Sequence, residues 1–201
     1  MNLKFVVAVG YSEDGLAPLL TFFDHVPHDQ ATYIILRHIP IGQRSVLKEI
    51  LNRHSKLEIL EAENGVAIEN DKVYIPPPSS YITIKNDKLY LQPRIHESAN
   101  YNFLIDIFLK SLAADKGEKS MAVILSGAGV DGAKGVTEIY KAGGTVFAQK
   151  PESCINPEMP QSAIDTNCVH YILLPSEMPG VLTKHVTPLL KNPNEVRRLK
   201  S

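Results

Sequence analysis

The chain has 201 residues, 44% of them hydrophobic, enough to bury a substantial core and to make one domain the natural expectation. Its 21 basic and 22 acidic side chains leave a net charge of -1, so no global field selects nucleic acid or an anionic membrane as partner. Cys154 and Cys168 are too few for a disulfide framework and are not at metal-ligand spacing, and no apolar run reaches the length of a membrane span.

The start, Met1-Asn2-Leu3-Lys4, runs into a strand instead of the long apolar stretch of a signal peptide, so a cytoplasmic location is expected. Phe5 to Val9 is the continuous apolar run of a strand covered on both faces, and it stops at Gly10. After Tyr11-Ser12-Glu13-Asp14-Gly15, the spacing of Leu16, Leu19, Leu20, Phe23 and Val26 predicts a helix. Pro18 is compatible with that helix only if it begins near Asp14 or Gly15, which leaves Ser12 on the bend. A second strand, Thr32 to Leu36, delivers Arg37 and His38 to its carboxyl end, and Val46, Leu47, Ile50 and Leu51 mark another amphipathic helix. This βαβα order predicts a parallel sheet.

Between Leu57 and Pro93 short alternating runs are broken by Pro76-Pro77-Pro78 and Asn86-Asp87, which reads as an antiparallel hairpin insertion. The parallel pattern resumes with a helix from about Phe103 to Asp115, a strand Met121 to Leu125, a helix from about Ala133 to Ala142 and a strand Thr145 to Ala148. A helix near Met159 to Asp165, a strand His170 to Leu174 and a helix from Glu177 to about Leu190 follow. The expected fold is α/β, a doubly wound, mainly parallel sheet with flanking helices, in one domain over residues 1–191 with a polar tail at 192–201.

In such a sheet the reactive groups gather outside the carboxyl ends of the strands. Three loops qualify. Gly10 to Gly15 is a sharp strand-to-helix turn that can lift the Ser12 hydroxyl off the sheet. The second loop begins at His38, and the third, Ser126 to Gly135, sets Asp131 among glycines. A serine hydroxyl needs a base within reach, and the base needs an acid to hold its tautomer. One loop can supply each, although singly a serine before a helix, a histidine at a strand end and an aspartate beside glycine are commonly a cap, a satisfied polar group and a turn residue. The chain order Ser, His, Asp differs from that of α/β-hydrolases.

The ordered series Val9-Gly10-Tyr11-Ser12, Arg37-His38-Ile39-Pro40, Ile124 to Gly132 and Met159-Pro160-Gln161-Ser162-Ala163-Ile164 resembles the CheB-type protein-glutamate methylesterase catalytic domain. Ala62-Glu63-Asn64-Gly65 followed by Val73-Tyr74-Ile75-Pro76-Pro77 fits the same pattern. Phe22-Phe23, Ile105-Asp106, Ala142-Gly143-Gly144 and Ser176 to Pro179 are similar especially to the versions fused to receptor methyltransferases. The resemblance covers roughly residues 3–183. It implies hydrolysis of γ-glutamyl methyl esters on chemoreceptor helices, with glutamine deamidation as a further family activity. It also implies Ser12, His38 and Asp131 as nucleophile, base and orienting acid. Glu13, Ala128, Gly129 and Met159 are the implied oxyanion or substrate-binding positions. No metal or organic cofactor is implied. The implied partner is the methylated helical region of a chemoreceptor or similar signalling protein, with a methyltransferase as another.

The chain departs from the family pattern near the serine, where Glu13 and Asp14 stand in place of a small residue and glycine. A carboxylate about 6 Å from the developing oxyanion, at an effective dielectric near 20, would cost roughly 3 kcal/mol, or about a hundredfold in rate. The alternative is that Asp14 caps the helix and Glu13 favours its positive end. Ala128, Val130, Tyr101-Asn102-Phe103 and Glu158 also differ from the usual pattern and alter the substrate-facing surface. With the first strand beginning near Leu3, no receiver domain is expected within this chain. The competing function is a catalytically weakened module that binds receptor or methyltransferase partners. A degenerate dinucleotide loop at Gly10 to Gly15 is disfavoured because Ser12 stands where glycine lets backbone approach a pyrophosphate.

Overall fold

The apolar run near the start forms β1 (Val6–Tyr11), buried at every position. Successive strand side chains point to opposite faces, so Val7, Val9 and Tyr11 enter one core cluster while Val6 and Ala8 enter another. A strand that feeds two cores must lie at the centre of a covered sheet. The computed structural model describes residues 4–12, 14–38, 46–78, 80–94 and 103–190.

The main sheet also contains β2 (Thr32–Arg37), β3 (Glu58–Glu61), β4 (Lys72–Ile75), β7 (Ser120–Ile124), β8 (Thr145–Gln149) and β9 (Tyr171–Leu173). Its order is β3-β4-β2-β1-β7-β8-β9, and every pairing is parallel. On one face lie α1 (Leu16–Asp24), α2 (Leu47–Leu51) and α6 (Met178–Leu190), which contribute Leu19, Phe22, Leu51 and Leu182 to the first cluster. On the other lie α3 (Leu104–Lys116), α4 (Ala133–Lys141) and α5 (Glu158–Asp165), which contribute Phe108, Leu112, Ile139 and Ala163 to the second. These ranges agree with the periodicity of the sequence to within a residue or two, as expected where apolar spacing is strong.

The hairpin is narrower than the alternating pattern implied. Among the named strands of the described residues, β5 (Ser80–Lys85) and β6 (Lys88–Pro93) form the antiparallel pair, whereas Glu58–Glu61 and Lys72–Ile75 join the parallel sheet instead of an insertion spanning 57–93. The reason is that β3 is an edge strand, buried at Ile59 and exposed at both glutamates. A half-covered parallel edge has the same alternation as a hairpin arm, so period alone does not separate them. The hairpin turn itself, Asn86-Asp87, has φ of 52° and 60°, the left-handed pair that a two-residue turn demands. Through Ile82, Ile84 and Leu89 the hairpin packs into the α3 side of the core, and the Ile84 amide donates to Ser111 Oγ at 3.1 Å.

From β1 the chain winds outward through β2, then returns on the other side of β1 as β7. The reversal puts the switch point at the carboxyl ends of β1 and β7, where loops diverge and leave a crevice. Ser12 follows β1, His38 follows β2, and the loop carrying Asp131 follows β7. The tail at 192–201 lies outside the described residues.

Phe108 is fully buried between α3 and the sheet. Phe108→Ala is expected to destabilise the fold by about 3–5 kcal/mol, the range for emptying such a site. Urea unfolding followed by circular dichroism measures it, as a lowered midpoint with unchanged slope.

Candidate active site

Ser12 is the first residue after β1, and the turn behind it is closed by the Gly15 amide donating to the Ser12 carbonyl at 3.1 Å. The Ser12 amide donates to the Ser126 carbonyl at 3.3 Å, tying the turn to the loop after β7. Two glycines permit this backbone-to-backbone approach. A Cβ on Gly15 would lie 2.4 Å from the Ser126 oxygen, and one on Gly127 would lie 2.7 Å from the Ser12 Cβ and 2.5 Å from the Met159 sulfur. The first structural consequence of the glycine-rich sequence is therefore contact across the switch point.

Asp14 does not cap α1. The cap position is Gly15, without a side-chain hydrogen bond, while Asp14 is exposed with φ of 62°. The turn pulls the chain into the left-handed region one residue too early for the Asp14 carboxylate to meet the first helical amides, a conformation aspartate tolerates better than most residues. Pro18 sits in the first helical turn, where a missing N–H costs nothing. Glu13 lies outside the described residues.

Ser12, His38 and Asp131 converge. His38 Nδ1 lies 3.2 Å from Ser12 Oγ, and His38 Nε2 lies 2.9 Å from Asp131 Oδ2. With Asp131 as a carboxylate the imidazole hydrogen sits on Nε2 and donates to it, leaving Nδ1 to accept from the serine hydroxyl. The imidazole is partly open, at 23% side-chain exposure, and the Asp131 side chain is closed off at 3%. The serine contact is at the long end of the ordinary hydrogen-bond range.

Asp131 has further partners. The Ile105 amide donates to Oδ2 and the Asp106 amide to Oδ1, both at 2.9 Å. These are orphan amides of the first turn of α3, so a carboxylate from a distant loop terminates the helix and meets its positive end. Next to the site, burial pushes the Tyr11 phenol up, and the neighbouring Arg37 guanidinium works against that shift.

The positions expected to bind an oxyanion divide. The Ala128 amide makes no hydrogen bond among the described residues, and the residue is half-buried. The Gly129 amide is already taken, donating to Glu158 Oε2 at 2.7 Å. Gly127 donates to the Asn156 carbonyl at 3.0 Å. Met159 is buried beneath the loop, its amide donating to the Gly127 carbonyl at 3.0 Å.

Sequence reasoning missed several supporting groups. Buried Gln149 accepts from the Ser126 amide at 2.9 Å, and Ser126 Oγ donates to the Asn156 carbonyl at 3.0 Å. Gln149 ends an apolar strand, and a polar residue at such a place was the available signal. For Asp106 the signal was its place in the Ile105-Asp106 resemblance, which gave it no role. Among the described residues no group of three or more His, Cys, Asp or Glu side chains is arranged to hold a metal.

Comparison with known proteins identifies the family and the fold. The family model for CheB methylesterase matches residues 7–182. A protein-glutamate methylesterase/protein-glutamine glutaminase of Xanthomonas oryzae is 32% identical over 161 residues, covering 79% of this chain and 45% of that protein. One of Pyrococcus horikoshii is 30% identical over 190 residues, covering 91% of this chain and 51% of that protein. This chain thus spans about half the length of the curated relatives it matches. The crystal structure of the Thermotoga maritima CheB methylesterase catalytic domain superposes with a TM-score of 0.81 at 29% identity, covering 90% of this chain and 98% of that one.

Gly127→Ala is expected to push Ser12 away from His38. Labelling of Ser12 by a fluorophosphonate should slow by at least about tenfold, with a stability loss of about 1–3 kcal/mol from overpacking. Mass spectrometry of the labelled peptide and thermal unfolding read the two effects.

Proposed function

We propose, for a chain that belongs to the CheB methylesterase family, that it is a serine hydrolase of γ-glutamyl methyl esters on chemoreceptor-like signalling proteins in the cytoplasm. Deamidation of glutamine at such sites is the companion activity. The observation that carries the reading is the unbroken hydrogen-bonded line from Ser12 Oγ through the two nitrogens of His38 to Asp131. Ser12 Oγ attacks the ester carbonyl as His38 Nδ1 takes its proton, and Asp131 stabilises the imidazolium through Nε2–H. The tetrahedral oxyanion takes the Ala128 amide as a donor. Collapse expels methanol, which leaves with the proton from Nδ1. A water activated by the same nitrogen then releases the glutamate and restores the serine.

Two exposed apolar residues on the rim support a macromolecular substrate. Val130, beside Asp131, is 55% exposed, and Ile155, in the loop packed on Ser126, is 81% exposed. A protein surface can cover such groups, whereas a small ester leaves them wet. No helix among the described residues is long and apolar enough to cross a membrane.

Wild-type chain should release methanol from a methylated receptor peptide, and Ser12→Ala should reduce kcat by about 10³-fold or more. Equal turnover by the two proteins rejects Ser12 as nucleophile.

One observation favours a second reading, a weakened module that binds receptor or methyltransferase segments. The Glu158 carboxylate occupies an amide at the reactive rim and adds negative charge where an oxyanion would form. On that reading wild type binds the methylated peptide with little methanol release, and Glu158→Gly raises kcat/KM by about tenfold or more, by removing the charge and freeing the amide. Fast turnover by wild type, unaffected by this substitution, removes the second reading.

A further inference from the structure

We propose that Asp106 is a positioning residue that acts through Asp131, the two aspartates capping each other's helices so that the Asp131 carboxylate is fixed against His38. The inference rests on the hydrolytic reading of Ser12, His38 and Asp131 for its kinetic consequence, but not for its geometry.

The arrangement is reciprocal. Asp131 comes from the loop that leads into α4 and accepts the Ile105 and Asp106 amides in the first turn of α3. Asp106 comes from that first turn and accepts two amides at the start of α4, from Gly132 at 3.0 Å and Gly135 at 2.6 Å, both on Oδ1. Each helix lacks a capping side chain of its own, since the cap residues are Phe103 and Gly132. Each therefore takes its anion from the other, at the end where the helix dipole favours negative charge.

The fit leaves little freedom. Gly132 has φ of 100°, a conformation that side chains rarely adopt, and a Cβ on Gly135 would stand 2.6 Å from Leu109 Cβ and 3.1 Å from Asp106 Cα. The two helices thus touch at Gly135, directly behind the carboxylates. Losing the Asp106 side chain would release the Gly132 and Gly135 amides and let the segment carrying Asp131 relax. A shift of about 1 Å in a group that orients a catalytic base is enough for large rate losses.

Asp106 also carries an unusual electrostatic load. Its Oδ2 is buried without a hydrogen-bond partner. Burial pushes its carboxyl up from the ordinary value, and the neighbouring Asp131 charge adds to that, while the Gly135 and Gly132 amides and Lys134 pull the other way. Lys110, Lys134 and Glu138 line the cleft beside it. Of the two carboxyls, Asp106 has a bare oxygen to accept a proton, whereas both oxygens of Asp131 already have donors.

Asparagine separates the two contributions, because its carbonyl oxygen still accepts from Gly132 and Gly135 but carries no charge. The test uses the full chain with Asp106→Asn and Asp106→Ala. Ester hydrolysis is followed with Ser12 present, and the His38 Nε2 proton bonded to Asp131 is followed by NMR in a Ser12→Ala background. D106A is expected to lower kcat about 30-fold or more with KM changed less than about threefold. D106N should lose at least about tenfold less than D106A. D106N should also keep the NMR signal of the His38 Nε2 proton, whereas D106A should shift or broaden it. A folded D106A chain with wild-type kcat overturns the proposal, as does a folded D106A chain with the wild-type Nε2 proton signal. If D106A does not fold, Asp106→Glu, which displaces the accepting oxygen but keeps the charge, is read in the same two ways. The NMR arm needs no turnover, so a chain that hydrolyses no ester refutes the hydrolase reading while Asp106 is still tested.

Discussion

The Asp131 carboxylate is the point on which the molecule turns, because it closes the first turn of α3 and holds the imidazole of His38 with the same few atoms. Helix termination is a requirement of folding, since orphan amides buried without partners cost free energy comparable to lost hydrogen bonds. Orientation of a base is a requirement of chemistry. Meeting both with one buried side chain means that the protein cannot complete its core on the α3 side without also assembling the acid end of the relay.

The remaining parts follow from how closely loops can approach. Ser12 reaches His38 because the turn after β1 lies against the loop after β7, an approach that Gly15 and Gly127 make sterically possible. The parallel register then brings the ends of β2, β1 and β7 to one rim. Glu158 complicates the picture, since the charge-assisted bond it makes to Gly129 withdraws an amide from the reactive face. The surface around Ser12 thus couples close backbone contacts to a charged side chain at its rim.

Much of this was legible from residue order. Alternating apolar runs and helical spacing place the strands and helices of the parallel sheet well, and they place Ser12, His38 and Asp131 at strand ends. Proximity of the three was an inference from topology and family resemblance, because no local pattern encodes a contact between residues 12, 38 and 131. What escaped was of three kinds. Edge strands such as β3 share their alternation with hairpins, so the boundary of the insertion was misplaced. Partnerships between polar groups far apart in the chain, such as Asp106 with Gly135 or Glu158 with Gly129, leave no periodic trace. Asp14 shows a third effect, a residue of good capping chemistry defeated by its backbone conformation.

The double duty of Asp131 changes how other chains of this fold should be interpreted. A descendant that lost its ester chemistry would still need an acid there to finish α3, so finding that acid in a sequence testifies to architecture. The alcohol at position 12 has no such second employment among its hydrogen bonds, whose backbone contacts any residue could make. The hydroxyl, free of any such structural duty, is therefore a more selective marker than the carboxylate for the hydrolytic reading proposed above.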